Sequence, residues 1–551
     1  MNQTPTWMMQ GFQLHQAGQL EQAILRYQAV LGQNPQHPDA LHLVGLSHHQ
    51  RGNHQQAVGW IRRAIAANDG VAFFHNNLAE ALAALQQFEE AEKCYRQAFT
   101  LQPEYGEAYH NLAIIFNRQE RHEEAIALCR RTLEVKPGFI EAWFTMANAQ
   151  SDLQLWQDAE ESYRKCLAMD ETHYRSWSNL GNLLSRIYRL DEALRCYQRA
   201  VELAEDQVGF RLNLGNCLKE LGRLPEVLAW FRETVARFPD SAEAHYHLAN
   251  SLLLSGHYPE GWREYAWRWQ LPDFPFALRK MAKPKWDGKP LAGRTLLIHA
   301  EQGFGDSMQF LRYVPLAARR GGRVILEVQK ELFELVASFP GAAMIIKQGD
   351  PLPPHDCHAP MLDLPLILGL PEPSPAAVPY LQAKPEEVAR WQQVMPPSGK
   401  KKVGLVWAGR PTHVNDHNRS LDLDLLKPLL AVEGIEFYSL QKGTAGEELA
   451  GHSNAESIQD LAPQIQDFCH TAAILTQLDL LITVDTSVAH LAGAMGRPVW
   501  TLLPRAPDWR WQTLRPDTPW YPTMRLFRQQ EQGNWQQVVE QAVAALTKQW
   551  D

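Results

Sequence analysis

Cysteine is scarce, with seven in 551 residues and no Cys-x-x-Cys pair. That excludes the common zinc-ribbon spacings and a disulfide framework, and no metal site is expected. No run of ~18 uninterrupted apolar residues occurs, so no transmembrane segment is expected. The start, Met1-Asn2-Gln3-Thr4-Pro5, carries no Lys or Arg ahead of an apolar stretch and does not read as a secretory signal. Positive charge is in the minority, 53 Lys and Arg against 62 Asp and Glu, for a net charge of -9. Such a chain lacks the basic footprint that duplex nucleic acid demands, so no nucleic-acid partner is expected. With 45% apolar and 21% charged residues, wholesale disorder and collagen-like repeats are excluded. At ~100–200 residues per domain, the length leaves room for three or four domains. The expectation is a soluble, cytoplasmic, multidomain protein.

The first half is periodic. A column of small residues reads Gly11, Gly45, Ala79, Ala113, Ala147, Gly181, Gly215 and Ala249, with 34 residues between neighbours. Twelve positions on stand Ala23, Ala57, Ala91, Ala125, Ala159, Ala193, Val227 and Gly261. Four further come Tyr27, Ile61, Tyr95, Cys129, Tyr163, Tyr197, Phe231 and Tyr265. Small residues let paired antiparallel helices approach closely, and the large residue of the second helix fills the remaining gap. Three columns in phase predict eight helix pairs stacked as an α-solenoid over 4–270. Pro35, Pro103, Pro137 and Pro239 close several units.

This period resembles the tetratricopeptide repeat, which implies a superhelix whose concave face takes a protein or peptide partner. Two asparagine columns ride on it. Asn77, Asn111, Asn179 and Asn213 precede the small position by two, and Asn148, Asn182, Asn216 and Asn250 follow it by one. Three apart, the columns share one helix face. In this repeat family that face lines the concavity, so a carboxamide stripe would run along the groove, offering donor and acceptor to a peptide backbone. The stripe resembles the asparagine ladder of the O-linked N-acetylglucosamine transferases. The alternative is that these side chains bond neighbouring helices within the array.

The last unit runs into Gly261-Trp262-Arg263-Glu264-Tyr265-Ala266-Trp267-Arg268-Trp269, then lapses into Pro272, Pro275, Pro284 and Pro290. Proline at this density stops helices. Phe274, Phe276 and Trp286 are not the residues of a flexible spacer, so 271–294 is expected to pack against the second half of the chain.

From Thr295 short apolar runs alternate with amphipathic stretches, the pattern of βα units around a parallel sheet. Strands are expected at 295–300, 323–328, 342–346, 402–407, 436–440, 480–484 and 498–503, with helices at 307–319 and 488–495. A break at Pro371, Pro373, Pro375 and Pro379, then Pro396-Pro397-Ser398-Gly399, divides two α/β lobes, 295–382 and 401–530, joined by a linker over 383–400. A terminal helix over 531–551 is expected to cross back onto the first lobe. Ligands of open α/β sheets sit in such inter-lobe crevices.

Four motifs could carry chemistry. Glu301-Gln302-Gly303-Phe304-Gly305-Asp306-Ser307 joins a strand to a helix. A dinucleotide fingerprint would need its third glycine at Met308, and Glu327 as the ribose acid, so that reading is set aside. Asp306 reads either as an N-cap or as a cleft-facing general base within reach of a hydroxyl. In Thr483-Val484-Asp485-Thr486-Ser487-Val488-Ala489-His490, hydroxyls and free N–H groups meet at a positive helix end suited to a pyrophosphate. His490, one turn in, reads as a packed helix residue or as a phosphate ligand. Trp407-Ala408-Gly409-Arg410-Pro411 through Arg419-Ser420 supplies two guanidinium forks, Arg410 and Arg419. Gln441-Lys442, after the next strand, adds a cation at the same sheet edge. The aromatic stretch Asp508-Trp509-Arg510-Trp511, Trp520-Tyr521-Pro522 and Arg525-Leu526-Phe527-Arg528 reads as inter-lobe packing, with a donor-pocket contribution as the other option.

Taken together, these motifs resemble the bacterial heptosyltransferases, glycosyltransferase family nine, over roughly 295–528. The resemblance implies an α/β GT-B fold of two Rossmann-like lobes behind the solenoid, inversion at the sugar carbon and no metal or other cofactor. By the same resemblance Asp306 is the base and Arg419, where the family has Lys, neutralises the leaving diphosphate. Asp485, Thr486, Ser487 and His490 would line the nucleotide-sugar donor site together with Gly409, Arg410, Gln441 and Lys442. Gln302, Gly303 and Gly305 would form the acceptor-side loop. The whole chain is similar to repeat-fused bacterial glycosyltransferases, whose repeats would recruit a protein or glycan acceptor. The rival reading is a repeat adaptor whose second half is catalytically inactive.

Overall fold

The protein, as a computed structural model, is described over residues 4–272, 274, 281–373, 378–413 and 415–550. Pro275, Phe276 and Pro375, read above as parts of the packed linker and the inter-lobe break, lie outside the described residues. The chain divides into two units, Met1–Glu205 and Asp206–Asp551.

Among the described residues of the first unit, twelve helices run from Thr4–Gln16 to Leu190–Leu203. They alternate 13 and 14 residues, as in Tyr174–Arg186 followed by Leu190–Leu203. The small column does what its spacing predicts. A Cβ on Gly181 would lie 2.7 Å from the Tyr197 ring, and one on Gly45 2.5 Å from Ile61 Cγ1. A further column was not read from the sequence. The first helix of each unit ends in a residue with positive φ: Gly18, Gly52, Gln86, Glu120, Gln154 and Tyr188 in this unit, and Gly222 and Gly256 in the next. Half of these are glycine, which adopts the left-handed region freely, while the others hide the period behind ordinary side chains.

The second unit opens with two more helix pairs, Val208–Glu220 with Leu224–Arg237 and Ala242–Leu254 with Tyr258–Tyr265. A short 3-10 helix, Ala266–Gln270, ends them. Beyond it, Trp286 and Leu291 are buried, and the Trp286 N–H donates to the His358 carbonyl at 2.8 Å.

Two parallel sheets follow. The first holds β1 (Thr295–His299), β2 (Arg323–Val328), β3 (Met344–Lys347) and β4 (Cys357–Pro360) in the order β3-β2-β1-β4. The second holds β5 (Lys401–Val406), β6 (Ile435–Ser439), β7 (Ile458–Asp460), β8 (Leu480–Val484), β9 (Val499–Leu503) and β10 (Met524–Arg528), in the order β10-β9-β8-β5-β6-β7. In register, β1 aligns Leu297 with Ile325 of β2, and β5 aligns Leu405 with Ile482 of β8. β8 and β9 are buried throughout, which suits a parallel sheet covered on both faces.

Three expectations need correction. The helix read over 307–319 is three pieces, Phe304–Phe310, Leu311–Tyr313 and Val314–Ala318, because Pro315 cannot donate to a continuous ladder. The stretch 383–400 is not mere linker: Pro385–Val394 is a helix that packs on helix Phe468–Gln477 and buries Trp391. The terminal helix, Trp535–Trp550, does not cross back to the first sheet. It sets Trp535, Val538, Val539 and Leu546 into the core around Val403, Ile482 and Phe527 of the second. Strands β4, β7 and β10 also escaped the sequence reading. Four residues or fewer of mixed polarity in the first two cases carry little periodic signal.

Candidate functional site

The loops that leave the C-terminal ends of β1, β5, β6 and β8 carry the residues singled out above. After β1 the chain turns into helix Phe304–Phe310, with Gly303 at its N-cap and Asp306 in its first turn. Asp306 is therefore not the cap itself, although its Oδ2 accepts the Gly303 N–H at 2.8 Å. Gln302 is held on the repeat side, its Nε2 donating to the Tyr265 hydroxyl at 3.1 Å.

The other Asp306 oxygen, Oδ1, accepts from Arg510 Nη2 of the second-sheet region. Arg510 also donates through Nε to Gln309 Oε1 at 2.7 Å and through Nη1 to Asp508 Oδ1 at 2.7 Å. Its guanidinium thus joins the first-sheet helix to the segment ahead of β10. Burial pushes the Asp306 carboxyl upward, the Arg510 charge opposes it, and Asp508 adds to it. The sequence reading missed Arg510 as a site residue, although the Asp-Trp-Arg-Trp segment drew attention as packing. That packing is real: Trp520 lies 6.2 Å from the Phe310 ring, and Arg312 Nη1 donates to the Trp520 carbonyl at 3.0 Å.

Asp485 follows β8. Burial and then Asp508 push its carboxyl up to about 6, against the facing Trp511 indole and the Arg419 and Arg510 charges. The N-cap of the next helix, Ser487–Ala494, is Thr486 and not Asp485. Thr486 makes no side-chain cap bond, and its hydroxyl pairs with Thr483 Oγ1 at 3.0 Å. This leaves the helix start without a side-chain partner for its first N–H groups, the arrangement that favours an anion.

His490 takes the packed-residue alternative. It is buried, its Nδ1 bonds the Tyr521 hydroxyl at 2.9 Å, and its ring stacks on Trp511. Burial first, then the Arg510 and Arg312 charges, hold it well below the usual imidazole range, so the ring is neutral at pH 7.

In the loop after β5, Gly409 donates its N–H to Ser420 Oγ at 2.9 Å. A Cβ there would fall 2.4 Å from Asp416 Oδ1 and 2.6 Å from Arg419 Nη2, so glycine is what admits Arg419. Arg419 Nε bonds Asp416 Oδ1 at 3.2 Å, while Arg410 is exposed. Gln441 proves to be a brace. Buried, it accepts the Trp407 and Ala408 N–H groups at 3.0 and 2.8 Å and so shapes that loop from behind. Lys442 turns its ammonium to the carbonyls of Ile465 at 2.6 Å and Ala462 at 3.4 Å.

The asparagine columns mostly bond within the array. Asn148 Oδ1 accepts from Tyr163 at 2.6 Å and from Asn179 at 2.9 Å, and Asn182 Oδ1 accepts from Tyr197 at 2.8 Å. Asn111 Nδ2 reaches Glu80 at 2.9 Å, and Asn77 pairs with His42 at 2.8 Å. Asn250 donates to the Tyr246 carbonyl at 2.7 Å. Asn213 is half-buried, as is Asn216, which has no hydrogen bond among the described residues. Asn148, Asn179 and Asn182 nonetheless line an open groove of about 620 Å³ in the first unit, together with Tyr163, Arg175 and Arg186.

Comparison with known proteins matches the N-terminal and C-terminal parts of the chain to different families. Tetratricopeptide repeat families match residues 71–138, 140–173 and 180–241, and the family "Anaphase-promoting complex, cyclosome, subunit 3" matches 16–98. "Glycosyltransferase family 9 (heptosyltransferase)" matches 435–545. That span holds Gln441, Lys442, Asp485, Thr486, Ser487, His490 and Arg510, whereas Asp306, Gly409, Arg410 and Arg419 precede it. A curated relative, Protein FlbA of Caulobacter vibrioides, is 28% identical over 317 residues, 52% of this chain and 52% of its own. The chain thus spans about half the length of the curated relative it matches. Among solved structures, the MamA protein is 24% identical, covering 31% of this chain and 94% of that one at a TM-score of 0.29. Pseudomonas aeruginosa pilF is 19% identical, covering 38% and 96% at 0.34. The chain carries tetratricopeptide repeats in its N-terminal part and a family 9 glycosyltransferase domain at its C-terminus.

Proposed function

We propose, from that domain and the residues gathered at the strand ends, that the protein is an inverting glycosyltransferase of the two-lobed GT-B type. It takes a nucleotide diphosphate sugar without a metal ion, and its repeats help to hold a protein or glycan acceptor. One observation carries this reading. Asp306, beyond β1 of one sheet, meets Arg510 and Asp508 of the other, and the Arg419 and Arg510 charges act on Asp485 beyond β8. Carboxylate, cations and an uncapped helix start therefore stand on loops beyond the C-terminal ends of strands of both parallel sheets, where open α/β folds bind ligands.

In the proposed step, Asp306 takes the proton of the acceptor hydroxyl as its oxygen bonds to the anomeric carbon. The bond from that carbon to the diphosphate oxygen breaks on the opposite side, and the diphosphate leaves with the electron pair. Arg419 and the N–H groups at Thr486–Ser487 stabilise the charge that develops there, which is where electrostatic preorganisation lowers a barrier. The Arg510 charge opposes the upward push of burial on Asp306 and so favours the ionised form that a base requires.

A thermal-shift panel of nucleoside diphosphates tests the donor half, because a ligand stabilises the state that it binds. At least one is expected to raise the melting temperature; none doing so favours the inactive adaptor. With the donor so identified, Asp306→Ala is expected to abolish transfer while keeping diphosphate affinity. Transfer near the wild-type rate in that variant would remove Asp306 as the base.

A further inference from the structure

The last repeat helices reach the same cluster of charges. Helix Ala242–Leu254 packs on the 3-10 turn Trp509–Trp511 that carries Arg510. The end of helix Val208–Glu220 is tied to the same segment, because Arg505 Nη2 donates to the Leu221 carbonyl at 3.2 Å. On these two helices stand Asn216 and Lys219, three residues apart on one face, and His247, which takes the asparagine-column position one repeat after Asn213.

None of the three side chains has a hydrogen bond or ion pair among the described residues. Lys219 makes no ion pair or hydrogen bond among the described residues, although Asp508 and Glu220 act on its charge. Asp508 itself bonds Arg510 and not Lys219. His247 has only ring contacts, stacking on Phe231 at 5.5 Å and meeting Tyr246 edge-on. Burial lowers the Lys219 ammonium below its ordinary range, and burial with the Lys219 charge brings His247 down to about 4. Lys219 thus lies under the charge of Asp508 and His247 under that of Lys219, with Asn216 on the helix face of Lys219: three half-buried donors without acceptors among the described residues. A lysine at a helix end is ordinarily explained by the terminal carbonyls, but here Arg505 takes the Leu221 carbonyl instead. Tyr246, whose phenol feels Asp508, Arg510 and Asp306 together, carries the same helix on to the carboxylate.

We infer that Asn216, Lys219 and His247 form an oxyanion subsite in which the last two repeats hold a carboxylate or phosphate group of the acceptor beside Asp306. The inference rests on the transferase reading and specifies the acceptor for it: a molecule bearing an anionic group close to the hydroxyl that reacts. Lys219 supplies the charge, while Asn216 and neutral His247 supply fixed donors.

The full-length chain reports this directly. Trinitrobenzenesulfonate attacks neutral amines, so Lys219 is expected to be modified faster than the exposed Lys548, as read by peptide mass spectrometry. Inorganic phosphate or glucuronate should slow labelling of Lys219 by at least about threefold, with Lys548 unchanged and glucose without effect. Phosphate alone protecting assigns a phosphorylated acceptor, and glucuronate alone a carboxylate. Protection by neither anion, or equal protection by the nucleoside diphosphate that binds the donor site, would overturn the subsite. If nucleoside diphosphates still bind while Lys219 stays unprotected, only the subsite falls. If Lys219 is protected and no nucleoside diphosphate binds, the subsite stands and the transferase reading falls. Lys219→Gln should retain the wild-type thermal shift with nucleoside diphosphate, which confirms its fold, and should show a smaller shift with phosphate than the wild type; an unchanged phosphate shift would overturn the subsite.

Discussion

Gly305 stands directly against the ring of His490: a Cβ on that glycine would lie 2.7 Å from His490 Cδ2. The two helices that leave β1 and β8 touch at this point, within the same unit as the proposed site. Gly305→Ala forces one of them to move, and overpacking of this kind costs about 1–3 kcal/mol. Urea unfolding should show that loss. Gly451→Ala, where a Cβ would meet nothing within 4 Å, should leave the midpoint in place.

Arg510→Met leaves Asp306 and Asp508 half-buried without their shared cation. Removing one member of a buried ion pair costs about 3–5 kcal/mol. Asp306 is expected to become a weaker acid in that variant, since burial then acts unopposed by the guanidinium. A double variant with Asp306→Asn should recover part of the stability. Full additivity of the two single losses would contradict the pairing.

His490 is neutral in the fold, with its titration held well below the usual range by burial. The unfolded chain binds a proton at this ring below pH ~6.5 and the folded chain does not, so its stabilising contribution is present above that pH and declines below it. Each such group changes stability by about 1.4 kcal/mol per pH unit in that window. Comparing His490→Gln with the wild type at pH 7, 6 and 5 should therefore show the difference in unfolding free energy shrinking as pH falls. A constant difference would mean that the ring titrates alike in the folded and unfolded chains, and one that grows as pH falls that it is charged in the fold.

The left-handed column offers a stabilising change. Gln86, Glu120, Gln154 and Tyr188 hold φ near +60° where other units have glycine. Left-handed backbone costs a side-chain-bearing residue about 1–2 kcal/mol, partly offset by the entropy of an added glycine in the unfolded chain. Gln86→Gly and Glu120→Gly should each raise the unfolding midpoint, whereas glycine placed one residue earlier should not.

Gly409→Ala strikes the basic loop alone. The new methyl would collide with the Asp416–Arg419 pair and displace the guanidinium. Nucleoside diphosphate affinity, by calorimetry, is expected to fall by about tenfold, equivalent to roughly 1.4 kcal/mol, with little change in melting temperature. Unchanged affinity would remove Arg419 from the donor site.

The repeats were legible because their signal is one-dimensional. A helix pair meets only its neighbours, so a column such as Gly181 with Tyr197 recurs at a constant interval in the chain. The strands of the second half were legible where apolar runs were continuous, as in Leu480–Val484, and illegible where they were short, as in Ile458–Asp460. Gln441 shows how the site differs. Its place after a strand was visible, but its use as a brace for the Trp407–Ala408 backbone depends on a loop 33 residues away.

Local spacing by itself determined the helix pairs, the parallel βα pattern and the loops that hold Asp306, Arg419 and Asp485, because each depends on neighbours a few residues off or on a constant period. Tertiary structure alone decided who answers whom. Arg510 reaches Asp306 across 204 residues of chain, and His490 is spent on Tyr521. Lys219 of a repeat helix comes under the charge of Asp508. Burial and electrostatic partnership are set by which surfaces meet, and no period in the sequence encodes a meeting that happens once.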